Sequence, residues 1–146
     1  HAGYHLTKEA VKPTPKNFNG QPKPGLIVNN DFVRNNLDSL EVIIVDVRDI
    51  AQAKGWAKHS QAARPGRIPG SVNLPLSALY MDNGELTSPE ELLWILKNMN
   101  ITPDKTVVTT CNTGLQAGGA YFIFRYLGFQ DVRVHDESWV SYCAGP

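Results

Sequence analysis

The chain has 146 residues, enough for one domain with a sizeable core, and its 14 Lys plus Arg balance 14 Asp plus Glu. With no basic stripe and no acidic tail, the composition argues against nucleic acid and against a highly charged partner. No apolar stretch is long enough to span a bilayer. In chain order, His1-Ala2-Gly3 reads as a cut end, so the lack of a signal peptide says little about the parent protein. Pro13, Pro15, Pro22 and Pro24 make residues 1–25 an extended, lightly packed arm or interdomain linker, with the globular domain over 26–146. Asn30-Asp31 caps a short helix through Phe32, Val33 and Leu37. Val42-Ile43-Ile44-Val45 is an unbroken β-branched run, the pattern of a strand buried on both faces, and it ends at Asp46-Val47-Arg48-Asp49. Residues 50–67 lack periodicity and read as a long loop with room for one helical turn.

Ile68-Pro69-Gly70-Ser71-Val72-Asn73-Leu74-Pro75 is a tight turn followed by a short strand. Ser88-Pro89-Glu90-Glu91 starts a helix, with Leu92, Leu93, Ile95, Leu96 and Met99 as its apolar face. Thr106–Thr110 is a second core strand. A helix over Ala117–Leu127 turns Ala120, Ile123, Phe124 and Leu127 inward and stops at Gly128, and Asp131–Val134 is the last strand. Alternating strands and helices imply a three-layer α/β domain around a mostly parallel sheet.

Two cysteines, Cys111 and Cys143, are too few for a disulfide framework or a four-ligand zinc site. His1, His5, His59 and His135 show no metal-ligand spacing, and the first three read as exposed or loop residues. No metal is expected. Cys111 ends a buried strand and precedes Asn112, Thr113 and Gly114 at the start of a helix. That puts a thiol at the carboxyl edge of the sheet, where open α/β sheets bind ligands. Loop N–H groups and the helix N-terminus there stabilise negative charge on sulfur. Gly114, Gly118 and Gly119 supply the permissive backbone for such a nest. The same spacing also suits a buried structural cysteine.

From about residue 26 onward the chain resembles the rhodanese family, and within it the catalytic second domain of tandem-domain thiosulfate/3-mercaptopyruvate sulfurtransferases. The matching pieces come in order: Val45-Asp46-Val47-Arg48, then Gly66-Arg67-Ile68-Pro69-Gly70-Ser71-Val72-Asn73-Leu74-Pro75, the loop opening at Cys111, and the closing Asp136-Glu137-Ser138-Trp139. The resemblance implies a rhodanese-like fold, and a persulfide on Cys111. It also implies an anion-binding loop made by Asn112, Thr113, Gly114, Leu115, Gln116 and Ala117, with Asp46, Arg48, Arg67 and Trp139 in support. Related phosphatases carry an arginine six positions after the cysteine; here that position is Ala117, so phosphate would lack its bidentate partner. The proline-rich arm looks like the linker of tandem enzymes, which implies another rhodanese domain N-terminal in the parent chain. Resemblance to tandem bacterial enzymes, some of them exported, leans towards a periplasm without fixing the compartment.

The chain departs from the family at several positions. Thiosulfate-using tandem members generally carry basic residues in the cysteine loop, and mercaptopyruvate-using members have a C-G-S-G type loop; here Asn112 and Thr113 are neutral, nearer the second style. An arginine common six residues after the strand-ending aspartate is replaced by Gln52. Arg67 stands where histidine is usual. The usual aspartate-glycine-serine-tryptophan-x-glutamate ending reads Asp136-Glu137-Ser138-Trp139-Val140-Ser141. Fixed cations for a dianionic donor are therefore few, with Arg48, Lys54, Arg64 and Arg67 as the candidates.

The expected chemistry is a two-step exchange without metal or organic cofactor. Cys111 takes sulfur from a small donor such as thiosulfate, mercaptopyruvate or polysulfide, and passes it to cyanide, a small thiol or a partner protein's cysteine. Asp46 either accepts N–H bonds and braces the loop after Cys111 or belongs, with Arg48, to an ion-pair network that only holds the fold. Ser138 and Trp139 fasten the pocket wall. His135 is either an acid/base near the thiol or structural. Cys143, three residues from the end, is expected to be flexible or exposed. The alternatives to an enzyme are a low-turnover sulfur-carrier or regulatory binding module, and a purely structural domain with an unreactive thiol.

Overall fold

The two β-branched segments become adjacent strands, and everything else is arranged on their faces. In the computed structural model, which describes residues 3, 5, 7–21 and 23–145, the elements are β1 (Ile27–Val28), α1 (Asn30–Asn35), β2 (Val42–Asp46), α2 (Ile50–Ala53) and β3 (Val72–Asn73), followed by a 3-10 turn (Leu76–Leu79). Then come α3 (Pro89–Asn98), β4 (Thr106–Thr110), α4 (Leu115–Tyr126), β5 (Val132–His135) and α5 (Ser138–Tyr142). His1, Ala2 and Pro22, named above, lie outside the described residues. Residues 7–21 are exposed and form no helix or strand. No helix among the described residues is long and apolar enough to cross a membrane.

The sheet is wholly parallel, with strand order β1-β5-β4-β2-β3. Strand side chains alternate between two cores. Val45, Val107 and Cys111 pack with Leu92 and Leu96 of α3 and Ala120, Ile123 and Phe124 of α4. Ile44 and Val108 pack on the other face with Val33 of α1, Trp139 and Tyr142 of α5, and Cys143 just after it. Two buried faces explain why β2 and β4 read as continuous β-branched runs.

The sideways progression of the chain across the parallel sheet reverses between β2 and β4: β2 leads outward to β3, whereas β4 leads the other way to β5. The carboxyl ends of β2 and β4 therefore flank a topological switch point, where the following loops part and leave a crevice. Register pairs Asp46 with Thr110, so the loops beginning at Val47 and Cys111 leave the sheet side by side.

Several expectations need correction. The first helix is capped by Asn29, whose side chain accepts the Phe32 N–H at 3.0 Å; Asn30 is already helical and its side chain binds elsewhere. Leu93 of α3 is 39% exposed, because only Leu92 and Leu96, four apart, face the sheet squarely. Helix α4 begins at Leu115, two residues early, since Gly114 itself forms the cap. Strand β1, the 3-10 turn and α5 carry too few residues to show a period. Cys143 is 3% exposed rather than free: α5 folds back onto the sheet and buries it with Trp139 and Val28.

Candidate functional site

Strand β4 delivers Cys111 to the switch-point crevice. The residue is 2% exposed and packs against the α4-side core, yet it lines a cavity of about 250 Å³ with His59, Asn112, Thr113, Leu115 and Gln116. Gly114 turns the chain into α4 with φ +88°, a conformation disfavoured for any residue with a Cβ. A Cβ there would also lie 2.6 Å from Asp136 Oδ1 and 3.0 Å from the Asp136 carbonyl oxygen. Glycine is required at this position twice over. Gly118, by contrast, has open space where a Cβ would go, and at Gly119 it would make ordinary contact with Leu76, so neither is needed for the nest.

The closing segment organises the loop. Ser138 Oγ accepts the N–H groups of Cys111 and Gly114, both at 3.1 Å, and donates its one proton to the His135 carbonyl at 2.8 Å. Its 3.9 Å approach to Cys111 Sγ is thus a packing contact rather than a second donated bond. From α5, the Trp139 N–H donates to the Cys111 carbonyl (2.9 Å) and the Val140 N–H to that of Asn112 (3.1 Å). In a trans peptide the carbonyl and the next N–H point in opposite directions. Drawing these two carbonyls towards α5 therefore turns the N–H groups of Asn112 and Thr113 away from it.

Among the described residues, the N–H groups of Asn112, Thr113, Leu115, Gln116 and Ala117 meet no protein acceptor; the ladder of α4 starts with Gly118 donating to Gly114. The expected run of six donors is five, because Ser138 has taken Gly114. These five, three of them in the first turn of a helix, are left open beside the cysteine, the kind of donor set that can hold an anion. Thr113 and Leu115 are exposed at the edge of this set. Ala117 is fully buried, and no cationic side chain arises within the loop.

Asp46 does not brace the cysteine loop. Its Oδ1 accepts Arg48 N–H (3.1 Å) and Nε (2.9 Å), and its Oδ2 accepts Arg48 Nη2 (2.6 Å). Nη2 also donates to the Gly66 carbonyl at 2.9 Å, and the guanidinium lies 5.0 Å from the Trp139 ring centre. Both ions are at most 2% exposed, so this is the buried ion-pair reading: it joins β2, the 50–67 loop and the closing segment without reaching the sulfur. Trp139 is fastened further by its Nε1–H donating to Arg64 O at 3.2 Å and by stacking on Tyr142.

Arg67 is exposed and, with Lys54 and Trp56, lines a separate cavity; Arg64 donates to the Cys143 carbonyl. None of the four candidate cations lines the Cys111 cavity. Of the lining residues, Asn112 reaches out to an amide partner, its Nδ2 donating to Gln52 Oε1 at 3.0 Å. The opposite atom, Asn112 Oδ1, is buried without a partner. Glu137, where glycine is usual, has φ −58° and needs no glycine; the positive φ of +51°, disfavoured for a residue with a Cβ, falls on Ser138.

His135 is structural. It is fully buried, with Nδ1 3.0 Å from Thr110 Oγ1 and Nε2 3.0 Å from Asn30 Oδ1. Asn30 Nδ2 is spent on Ser141 Oγ, so Nε2 carries the proton towards Asn30 and Nδ1 accepts from Thr110. Burial pushes its pKa down to about 4, and the ring is held neutral.

Sequence reasoning missed His59 and the part played by Gln52. Both sit on or beside the aperiodic 50–67 loop, which gives no register from which to tell an inward residue from an outward one. Among the described residues no cluster of His, Cys, Asp and Glu suits a metal ion.

A family model described as Rhodanese-like domain matches residues 29–144. The mouse 3-mercaptopyruvate sulfurtransferase is 32% identical over 129 residues, covering 88% of this chain and 43% of the relative. The human protein of the same name is 31% identical over 142 residues, covering 94% and 46%. The chain thus spans less than half the length of these curated relatives. Among solved structures, an EanB variant in complex with ergothioneine superposes with a TM-score of 0.89 at 24% identity, covering 99% of this chain and 37% of that one, a likeness of fold.

Proposed function

The chain belongs to the rhodanese-like domain family, and from that premise we propose that it is a sulfurtransferase moving sulfane sulfur from a small donor to a thiophilic acceptor through a persulfide on Cys111. The observation that carries this reading is the cup of five unpartnered N–H groups around a cysteine that lines a 250 Å³ cavity. The names of the 3-mercaptopyruvate sulfurtransferases it resembles support the same reaction class.

In the first step the Cys111 thiolate attacks the outer sulfur of the donor. A new S–S bond forms, the bond to the rest of the donor breaks, and the leaving group keeps the electron pair. The N–H cup stabilises the thiolate before attack and the anionic persulfide after it. In the second step an acceptor such as cyanide, a small thiol or a partner protein's cysteine takes the outer sulfur and returns the thiolate. Both steps are displacements at sulfur, so neither calls for a metal or an organic cofactor. The lining holds no lysine or arginine, and with the neutral Gln52–Asn112 pair beside it this suits a monoanionic donor such as mercaptopyruvate better than a dianion such as thiosulfate.

The deciding experiment is a donor panel of thiosulfate, mercaptopyruvate and polysulfide, read by the mass of the Cys111 peptide. One added sulfur on that peptide, ping-pong kinetics, and transfer reduced to background in Cys111→Ala are the expected results. Full sulfur transfer by Cys111→Ala would refute the persulfide, and so would a Cys111 peptide that never gains sulfur.

A further inference from the structure

Five of the six residues lining the Cys111 cavity belong to the 111–116 segment; the sixth, His59, comes from the loop between β2 and β3. Displacement at sulfur is an in-line event: the thiolate approaches from one side and the leaving group departs on the other. With Cys111 on the cysteine-loop wall, the leaving group departs towards the lining that another segment supplies. That lining is His59.

The ring is half-buried and its segment is pinned. The Gln61 N–H donates to His59 Nδ1 at 3.3 Å, the Ala62 N–H donates to the His59 carbonyl at 3.0 Å, and Lys58 Nζ donates to the Ala62 carbonyl at 2.7 Å. Ala62 is 2% exposed and packs in the same core as Trp139. With Nδ1 used as an acceptor, the neutral imidazole must carry its proton on Nε2. The segment therefore holds the ring in the tautomer whose distal nitrogen is a donor.

We infer that His59 is a donor-binding residue that hydrogen-bonds through Nε2–H to the leaving group as sulfur passes to Cys111, making this site selective for donors whose leaving group is an anion. This rests on the persulfide function proposed above. As the S–S bond to Cys111 forms, the electron pair of the breaking bond collects on the leaving group, and the imidazole N–H faces that charge while keeping its proton. His59 thus offers a ring N–H dipole to negative charge in a lining that has no lysine or arginine.

The test uses two variants and two reactions of the same thiol. His59→Asn keeps an oxygen placed to accept the Gln61 N–H, so the turn survives, but removes the distal donor. His59→Gln extends an amide N–H further towards the lost position. Persulfide formation from mercaptopyruvate and from thiosulfate is compared with addition of N-ethylmaleimide, which consumes the Cys111 thiolate without any leaving group. The expected result is persulfide formation slowed about tenfold or more in His59→Asn, partly restored in His59→Gln, with maleimide addition within about twofold of the parent chain. Wild-type persulfide rates in His59→Asn would overturn the inference, and so would equal slowing of both reactions, which would mean that the residue acts on the thiol itself. Failure of the parent chain to take sulfur from any donor is a separate result: it removes the function, and the inference with it.

Discussion

Two strand ends lie side by side at the carboxyl edge of this sheet and treat their polar groups in opposite ways. At the end of β2, Asp46 and Arg48 satisfy one another through three side-chain contacts and a backbone N–H, and Arg48 still reaches the Gly66 carbonyl. At the end of β4, one residue away in register, five successive or nearly successive N–H groups are left without a protein acceptor. The saturated corner resists rearrangement because loss of any member strands a charge in the interior. The open corner is the one with capacity for an incoming anion. A saturated corner beside an unsatisfied one lets this fold hold the open N–H groups in shape without filling them.

The largest effect on stability is expected from breaking the saturated corner. Arg48→Ala leaves Asp46 buried and unpaired and should cost roughly 3–5 kcal/mol, read as a lowered denaturant midpoint. If the two corners have separate duties, the folded variant should still load sulfur on Cys111 within a fewfold of the parent rate. A drop comparable to that of a cup variant would join the corners into one site.

Acid provides the next largest test, through His135. Its pKa is about 4 in the fold against about 6.5 in the unfolded chain, so the unfolded state binds the proton first as pH falls. The associated stability is fully present above pH ~6.5 and declines towards pH ~4, by roughly 3 kcal/mol in all. His135→Gln should flatten that part of the pH–stability curve. A slope unchanged between pH 6.5 and 4 would assign the acid sensitivity to other groups.

Ser138→Ala is the smallest and most local perturbation. It strands the Cys111 and Gly114 N–H groups, costing about 1–3 kcal/mol, and loosens the cup at the two points where Ser138 grips it. Persulfide formation should suffer more than in Arg48→Ala although stability suffers less. The reverse order would make the closing segment a stabilising element only.

Much of the fold was legible because burial on both faces writes itself locally. Val42–Val45 and Thr106–Thr110 read as core strands and are; Ser88-Pro89-Glu90-Glu91 reads as a helix start, and there Ser88 accepts the Glu91 N–H. Short elements escaped: α5 has five residues, and its inward turn buries Cys143, which position near the chain end made look free. Within the site, Cys111 and Gly114 were legible from strand, loop and helix order. The duty of Asp46 was not, since its carboxylate turns to Arg48 two residues on rather than to the neighbouring loop. Arg67 was placed in support by resemblance, but its side chain lines a different cavity.

The sequence by itself determined the parallel α/β architecture and the cysteine at the end of a buried strand, because these follow from residue order and periodicity, and the order of four motifs carried the resemblance to the family. Only the tertiary structure decided which N–H groups remain open, since that depends on where α5 draws the loop carbonyls and on the two N–H groups taken by Ser138. Only the tertiary structure brought His59 to the cavity from a loop about fifty residues earlier. Local pattern fixes what a segment becomes; which polar groups stay unpaired is settled by partners that lie far away along the chain.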